Sequence, residues 1–544
     1  MLLPKYRHTQ IDISHDWYIS LQNTKSFCFA VNYSRRGAYS ATVKITYLLI
    51  YLTIVLPWGV GFDMLKVAFG VAFACPCYGL TDISDGDDFM EQLNHAYFTE
   101  NRVQILADWF ELLAIPSVGA DINALAHCAR AAAWLKRWLK QLDFTVEVFA
   151  PERGQPILLA ERRGETNAPV VLFYGHYDVQ PADPLEEWCT PPFEPTLSDE
   201  RVYARGAQDN KGQLFAFLQG VAARINCGKP LPTIRLLLEG EEESGSPALL
   251  AAVHNWRERL AADILLVCDT AIHPCGRPAI VAGLRGVQSL TVKLYGPSHD
   301  LHSGTHGGLA ANPALGMVQL LATLHNSEGR VAVDGFWDGW VSPSEEELKL
   351  AQAVAFNMDS YISETGARPE GGEKGIPHSL RTAFYPTIEV NGIHSGYGGA
   401  GSKTIIPVSA LAKLSARLAP GQNPQQTMAA IVAHLQEHCP PGLRLEVSDV
   451  REGAGGFRLS LASPVFRLAA DVLTQMDPEG PLFLWEGASI PVISILRDIT
   501  GAAPLLVGFG RESDRIHAPN ESFGLDQFQQ VMTYADTMLG ALVG

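Results

Sequence analysis

Short, continuous apolar runs alternate with amphipathic helical stretches between residues 90 and 283, and few architectures satisfy this alternation. The apolar runs lie at 170–174, 234–238 and 264–268. The helical stretches between them lie at 210–225 and 248–260. Because a strand that is apolar on both faces must be covered on both sides, the pattern predicts an α/β domain whose mixed sheet is covered by helices.

Two helices are predicted to open this domain, at 100–113 and 122–142. Apolar residues recur in both stretches at helical spacing, Val103 and Leu125 among them. Each pattern indicates a helix with one buried face.

The periodicity changes near residue 284. The run at 287–295 alternates as a half-exposed strand does, and a helix is predicted at 313–324. A strand, a helix and a strand then follow at 411–418, 426–438 and 443–447. This pattern predicts a smaller α+β unit with one solvated sheet face.

The buried type of apolar run returns at 504–509, so the C-terminal segment is predicted to complete the first domain. A helix at 466–476 precedes this run. The expected organisation is therefore a large domain formed by 90–283 and 455–544, with 284–454 inserted as a second domain.

Residues 1–89 differ from the rest of the chain. The stretch 45–62 carries no charge, and roughly 20 apolar residues are needed to cross a bilayer. Arg35, Arg36 and Lys44 precede it, as on the cytoplasmic side of a membrane anchor, but Pro57 interrupts it. Two interpretations follow: a membrane anchor, or an upstream extension of a protein that begins near Met90. We favour the extension.

Composition bears on partners and location. The 58 acidic and 41 basic residues give a formal net charge of -17, which repels phosphate backbones and argues against nucleic-acid binding. The nine cysteines are odd in number and scattered, without the spacing of a disulfide framework. We therefore expect a reducing, cytoplasmic location, with anchoring through 45–62 as the alternative.

Residues that can bind metals follow four strands of the large domain. They are His176 and Asp178 after the first run, Glu241, Glu242 and Glu243 after the second, Asp269 after the third and His517 after the last. Asp209 opens the helix at 210–225. Because ligands bind at the carboxyl ends of strands in α/β sheets, these side chains are expected to converge. Imidazole and carboxylate ligands suit zinc or manganese, and a shared carboxylate can hold two ions close together.

Each of these residues has an ordinary structural explanation when taken alone. His176 and Asp178 are compatible with a simple hydrogen-bonded pair, the acidic triplet with a solvated loop, and Asp209 with a helix cap. Their joint placement after separate strands is what favours a metal site.

Five segments resemble signature motifs of the M20 family of metallopeptidases, and most closely its carnosinase-like dipeptidase branch. They are GHYDVQP, ARGAQDNKG, EGEEESGS, DLHSG and RIHAPNE. The resemblance runs in order from Met90 to Gly544 and does not cover residues 1–89. It implies a catalytic domain with two metal ions and an inserted domain that acts as lid and dimerisation module.

The resemblance implies a metal-binding role for one residue in each of several motifs. His176 and Asp269 would bind one ion, Glu243 and His517 would bind the other, and Asp209 would bridge them. Two divalent ions per subunit are expected, with zinc favoured and manganese as the alternative.

The resemblance also implies that Glu242 is the general base, which activates a metal-bridging water. Asp178 would orient His176, which lies in the same motif. The family pair is Glu-Glu followed by a small residue and glycine, so Ser244 and Gly245 fix the frame and leave Glu241 outside it.

Four further residues would contact the substrate by the same resemblance: His302, Thr404, Arg417 and Ser489. Arg417 would bind the terminal carboxylate, although a surface ion pair is an alternative for it. The inserted domain would pair with its twin in a homodimer, and His302 would reach the active site of the other subunit. His299 and His306 are expected to be bystanders.

The predicted function is a di-metal hydrolase that cleaves the amide bond of dipeptides or similar short substrates with a free C-terminal carboxylate. An N-acyl amino acid deacylase of the same superfamily is the first alternative, and a non-catalytic, membrane-tethered scaffold is a remote one.

A phosphate loop at 396–404 is rejected, because Ser402 separates Gly401 from Lys403 where that motif requires adjacent residues. The choice between a dipeptide and an N-acyl amino acid stays open, as does the preferred side chain.

Overall fold

The structure is a computed structural model that describes residues 86–354, 356–487 and 490–544. The predicted anchor at 45–62 and the predicted substrate residue Ser489 lie outside the described residues. Among the helices of the described ranges, none combines the length and the apolar composition that crossing a bilayer requires.

The strands, in chain order, are β1 (Thr145–Phe149), β2 (Ile157–Arg162), β3 (Val171–His176), β4 (Thr196–Ser198), β5 (Arg201–Tyr203), β6 (Ile234–Glu239), β7 (Ile264–Val267), β8 (Ala279–Leu284), β9 (Gly286–Tyr295), β10 (Leu301–His302), β11 (Thr387–Ser395), β12 (Ile405–Ile406), β13 (Ser409–Leu418), β14 (Arg444–Ala454), β15 (Phe457–Arg458), β16 (Leu482–Glu486), β17 (Ala503–Leu506) and β18 (Ser522–Gly524). The helices are α1 (Gly86–Leu113), α2 (Leu125–Gln141), α3 (Lys211–Asn226), α4 (Pro247–Ala252), α5 (Arg257–Leu260), α6 (Ser303–His306), α7 (Pro313–Ala322), α8 (Glu345–Ala353), α9 (Met358–Thr365), α10 (His378–Phe384), α11 (Pro424–Glu437), α12 (Pro464–Met476), α13 (Pro491–Thr500) and α14 (Leu525–Ala541).

The larger sheet has nine strands in the order β1-β2-β6-β3-β7-β17-β8-β15, with β16 also paired to β8. Its inner strands β6, β3, β7 and β17 are parallel to one another. Every residue of β3 is buried, so both faces of the sheet are covered, as the apolar runs predict. Trp109 of α1 and Phe215 of α3 both contact Phe528 of α14, with ring centroids 4.7 and 6.3 Å away.

The smaller sheet has four antiparallel strands in the order β11-β13-β9-β14. Burial alternates along β13, and its inward residues share a core with α7 and α11. The fold class is thus confirmed: a helix-covered mixed sheet accompanied by a smaller α+β unit. The domain limits at 284 and 454 stay a prediction.

Two apolar residues predicted to be buried are exposed, so these two predictions are wrong. Val103 is 82% exposed and Leu125 is 42% exposed. The buried face of α1 is formed instead by Ile105, Trp109 and Leu112, which follow the helical period, and Val103 is out of phase with them.

The predicted helix at 248–260 is interrupted, because a 3-10 turn separates α4 from α5.

Candidate active site

The metal-binding candidates gather at the carboxyl edge of the larger sheet. β3 ends at His176, which is paired in register with Glu239 at the end of β6. Asp269 follows β7, and β7 pairs with both β3 and β17. Parallel neighbours bring their carboxyl ends to one edge, so the strand order itself brings these residues close.

Two groups of potential ligands share one carboxylate. In the first group, His176 Nε2 lies 3.3 Å from Asp209 Oδ1 and 3.4 Å from Asp269 Oδ2. In the second, His517 Nε2 lies 2.9 Å from Asp209 Oδ2 and 3.4 Å from Glu243 Oε2. The ligand atoms of each group lie within 4.8 Å of one another. Asp209 belongs to both groups, which is the arrangement expected for two ions bridged by one carboxylate.

The hydrogen bonding of His176 assigns different roles to its two ring nitrogens. Its Nδ1 lies 3.2 Å from the Asp178 carbonyl oxygen and 3.3 Å from Asp178 Oδ1, so Nδ1 carries a proton and donates it. Nε2 faces two carboxylate oxygens, an environment that favours either a proton or a metal ion on this nitrogen. Nε2 of His176 and Oε1 of Glu243 are both buried without a hydrogen-bond partner. Converging acceptors of this kind fit a divalent metal ion.

Negative charge is concentrated around these ligands. Burial raises the pKa of the Asp269 carboxyl to about 6. Burial, together with the carboxylates of Asp269 and Glu243, raises the pKa of Glu242 to about 8. Carboxyl groups in such surroundings resist ionisation unless positive charge is close by, and divalent ions would supply it.

The two histidines attract protons for the same reason. Burial disfavours a charge on His176, but the neighbouring carboxylates outweigh burial and raise the pKa of His176 well above its ordinary value. Hydrogen bonds to Asp209 and Glu243 raise the pKa of His517 to about 10. Because a metal ion and a proton compete for the same lone pairs, metal binding is expected to displace these protons.

Asp178 connects His176 to the acidic triplet. Its carboxylate accepts hydrogen bonds from the backbone amides of Glu242, at 3.3 Å, and Glu243, at 3.1 Å. A Cβ atom at Gly119 would lie 2.5 Å from Asp178 Oδ2, so only glycine leaves room for this carboxylate. Asp178 therefore orients a candidate ligand and the turn that holds the candidate base.

The three glutamates of the triplet have different surroundings. Glu241 is 7% exposed, and its Oε2 accepts a hydrogen bond from the Ala248 amide in the first turn of α4, at 3.0 Å. Glu243 contacts His517, and Gln180 Nε2 donates to Glu243 Oε2 at 2.7 Å. Glu241 thus stabilises a helix start, whereas Glu243 belongs to the second group of potential ligands.

Two predicted substrate residues meet on a separate two-stranded sheet formed by β10 and β12. His302 pairs with Ile405, and the Ser303 amide donates to the Thr404 carbonyl oxygen at 3.0 Å. The His302 side chain is exposed, and its Nδ1 accepts a hydrogen bond from the Gly304 amide at 3.0 Å. A neutral ring with an accepting Nδ1 carries its proton on Nε2, so His302 offers an exposed N–H donor.

Arg417 lies on β13, opposite Val287 of β9 and Thr387 of β11. Arg285 lies just before β9, and burial together with the charge of Arg417 lowers the pKa of Arg285 to about 10. Arg285 is buried and donates to the carbonyl oxygens of Gly487 and Tyr385, and the charge of Glu389 acts on its pKa in the opposite direction. The guanidinium of Arg417 is of a type that suits an anionic group.

Three residues that contact the ligands were not predicted from the sequence. Gln180 donates to Glu243, as described above, and Asn210 donates to Asp269 Oδ1 at 2.8 Å. Glu521 accepts hydrogen bonds from the loop that carries Asp209. Each of the three lies inside one of the motifs GHYDVQP, ARGAQDNKG and RIHAPNE. Their position in these motifs was the sequence feature that could have identified them.

Known proteins agree with this geometry. The chain is 30% identical over 375 residues to a Beta-Ala-His dipeptidase of Rattus norvegicus. The aligned region covers 67% of this chain and 75% of that protein. It is 28% identical over 458 residues to the Cys-Gly metallodipeptidase DUG1 of Saccharomyces cerevisiae, with coverages of 78% and 93%. The structure of an M20 family metallo-carboxypeptidase from Sulfolobus solfataricus matches with a TM-score of 0.70 at 29% identity, covering 80% of this chain and 99% of that one.

A family model extends this agreement over most of the chain. The model of peptidase family M20/M25/M40 matches residues 172–540, a range that includes every candidate metal ligand. The resemblance of the five motifs is therefore confirmed. The chain belongs to peptidase family M20/M25/M40.

Proposed function

We propose that the protein is a metal-dependent dipeptidase that hydrolyses the amide bond of dipeptides or similar short substrates with a free C-terminal carboxylate. The observation that carries this proposal is the pair of ligand groups that share Asp209. The dipeptidase names of the relatives support the substrate class.

The first ion would be held by His176 and Asp269, the second by Glu243 and His517, and Asp209 would contribute one oxygen to each. Zinc suits this imidazole and carboxylate set, and manganese is the alternative. When bound, two such ions lower the pKa of a shared water and polarise the scissile carbonyl.

Glu242 would act as the general base and acid. Without metal, burial and nearby carboxylates raise the pKa of Glu242 to about 8. Two bound divalent ions would lower that pKa, so that Glu242 would be ionised and able to accept a proton and return it. Glu242 would take a proton from the attacking water and deliver it to the leaving amine. The hydrogen bond from its backbone amide to Asp178 holds the turn in place during both transfers.

Arg417 would bind the terminal carboxylate of the substrate, with Thr404 and Ser489 as further contacts. Arg417→Ala is expected to lower kcat/KM about tenfold or more for substrates with a free carboxylate, because a charge-assisted hydrogen bond contributes about 1.5 to 3 kcal/mol. The measurement is kcat/KM for a dipeptide and for its C-terminal amide.

Lys413→Ala is the control for loss of positive charge, because Lys413 lies on the same strand and is exposed to solvent, whereas Arg417 is half-buried. It should leave the preference for the acid over the amide unchanged. If Arg417→Ala lowers kcat/KM equally for the dipeptide and for its C-terminal amide, Arg417 does not bind the carboxylate.

A homodimer through the inserted domain is supported by exposed apolar side chains. Val390 and Ile393 on the edge strand β11 are 42% and 56% exposed. Leu315 and Val318 on α7 are each 58% exposed. Exposed apolar side chains on an edge strand and on a helix of the inserted domain support a subunit interface there.

The described cysteines are all free, and Cys128 and Cys268 are buried. Free thiols support the expectation of a reducing, cytoplasmic location. The alternative of an anchor at 45–62 concerns residues outside the described ranges.

The decisive experiment is a hydrolysis panel of dipeptides and N-acyl amino acids, run on metal-stripped protein resupplied with zinc or manganese. Turnover of dipeptides supports the proposal, and turnover of N-acyl amino acids alone supports the deacylase alternative. Absence of turnover in both classes with either metal would contradict a hydrolytic function.

Metal removal should also lower thermal stability. A ligand that binds only the folded state at roughly a hundred times its Kd stabilises that state by about 2.7 kcal/mol, so chelation should lower Tm by several degrees. Calorimetry of stripped and zinc-resupplied protein checks this. An unchanged Tm across a zinc titration would contradict a metal site of this kind.

A further inference from the structure

Glu521 is a buried carboxylate that faces the loop carrying Asp209. Its Oε2 accepts hydrogen bonds from Arg205 Nη1 at 2.8 Å and from the Gly206 amide at 2.9 Å. Its Oε1 accepts hydrogen bonds from the Gln208 amide at 3.0 Å and the Asp209 amide at 3.1 Å. The side chain is 0% exposed, so water does not share these donors.

Only a carboxylate satisfies this arrangement. Each oxygen of Glu521 accepts from two N–H donors. A glutamine at this position would replace one of these oxygens with an NH2 group, which is itself a donor and cannot accept from the two donors that face it. A shorter aspartate would keep the charge beside Arg205 but could not reach both pairs of donors. Buried donors without acceptors are costly, so the loop would have to rearrange.

Asn520, the residue before Glu521, connects this segment to the loop at 187–189. Asn520 Oδ1 accepts a hydrogen bond from the Cys189 amide at 2.6 Å, and Asn520 Nδ2 donates to the Glu187 carbonyl oxygen at 2.8 Å. His517 and Asn520 have φ values of +59° and +64°, a left-handed conformation that is unfavourable for residues other than glycine. The surrounding hydrogen bonds hold this segment in its strained form.

We propose that Glu521 is a positioning residue that fixes the backbone of Asp209 and thereby sets the affinity of the site for both metal ions. His517 lies four residues earlier on the same segment and contacts Asp209 at 2.9 Å. One carboxylate thus joins the segment between β17 and β18, which bears His517, to the loop that bears the shared ligand. The inference rests on the metal site of the proposed function, but it does not depend on the substrate.

The test is the zinc affinity of Glu521→Gln, measured by competition with a chromophoric chelator. Loss of a residue that orients a metal ligand typically costs about 10-fold to 100-fold in affinity, so Kd for zinc should rise by about tenfold or more. Excess zinc should restore hydrolysis, because the ligands and the base are retained. If hydrolysis is absent in every variant, the affinity measurement still decides the role of Glu521.

Asp536→Asn is the matched control. Asp536 is equally buried and accepts hydrogen bonds from Arg224 and Lys229, each at 2.9 Å, but it lies on α14 away from the ligand motifs. It should lose thermal stability and keep wild-type zinc affinity. Glu521→Asp serves if Glu521→Gln does not fold, with weakened zinc binding expected as well. Wild-type affinity in a folded Glu521 variant, or equal weakening in Asp536→Asn, would overturn the proposal.

Discussion

Glu242→Gln is expected to abolish turnover while leaving the metal content unchanged, whereas Glu243→Gln should lose both metal and turnover. The two side chains are adjacent in sequence, but only Glu243 contacts His517, and Glu243 Oε1 is buried without a partner. A general base contributes typically about 100-fold to 10,000-fold, and glutamine cannot accept the proton. The loss in kcat for Glu242→Gln should fall in or beyond this range.

The measurement pairs single-turnover kinetics with metal analysis of each variant. Glu241→Gln is the control inside the same triplet, because its carboxylate caps α4 and faces a different backbone. It should keep metal and turnover and change only stability. Metal loss in Glu242→Gln with metal retained in Glu243→Gln would show that the roles of the two residues are reversed.

His302→Ala is expected to fold and bind metal but to lose about 100-fold to 1000-fold in kcat. That is the typical effect of removing one donor that stabilises the oxyanion formed when water attacks the scissile carbonyl. The exposed Nε2–H of His302 is available for this contact, since Nδ1 already accepts from Gly304. His306→Ala, a few residues away, should retain activity.

Mixing the two inactive variants tests whether His302 acts across a dimer. If subunits exchange, a mixed dimer of His302→Ala and Glu242→Gln has one doubly damaged site and one site with both residues intact. Activity should therefore return on mixing. A mixture that stays inactive after exchange has been verified, or a monomeric protein, would place His302 within its own chain or outside the reaction.

The convergence of the candidate ligands was predictable, because they follow strands whose pattern is plain in the sequence. His176 ends a fully buried strand and Asp269 follows another, so the parallel order alone brings them to one edge. Glu521 was not predictable in the same way, because its four donors depend on a loop more than 300 residues earlier in the chain. Long-range pairings of this kind leave no periodicity in the sequence around the residue.

Side-chain exposure was harder to predict in helices that have apolar residues outside their buried face. Val103 follows the apolar composition of α1 but not the phase set by Trp109, and it faces solvent. The strand β1 was not predicted, because it is an edge strand in which three of the five residues are exposed and the apolar signal is weak.

The position of β17 between β7 and β8 has a consequence for biosynthesis. This inner strand leaves the ribosome only after the whole of residues 268–502, and His517 follows it. A nascent chain therefore carries an incomplete sheet with an unpaired inner edge until β17 has been translated, a state that is prone to mispairing. On the proposed assignment of His517 as a metal ligand, metal capture has to follow synthesis of β17, so termination before β17 would leave a chain that can neither close its sheet nor complete the proposed site.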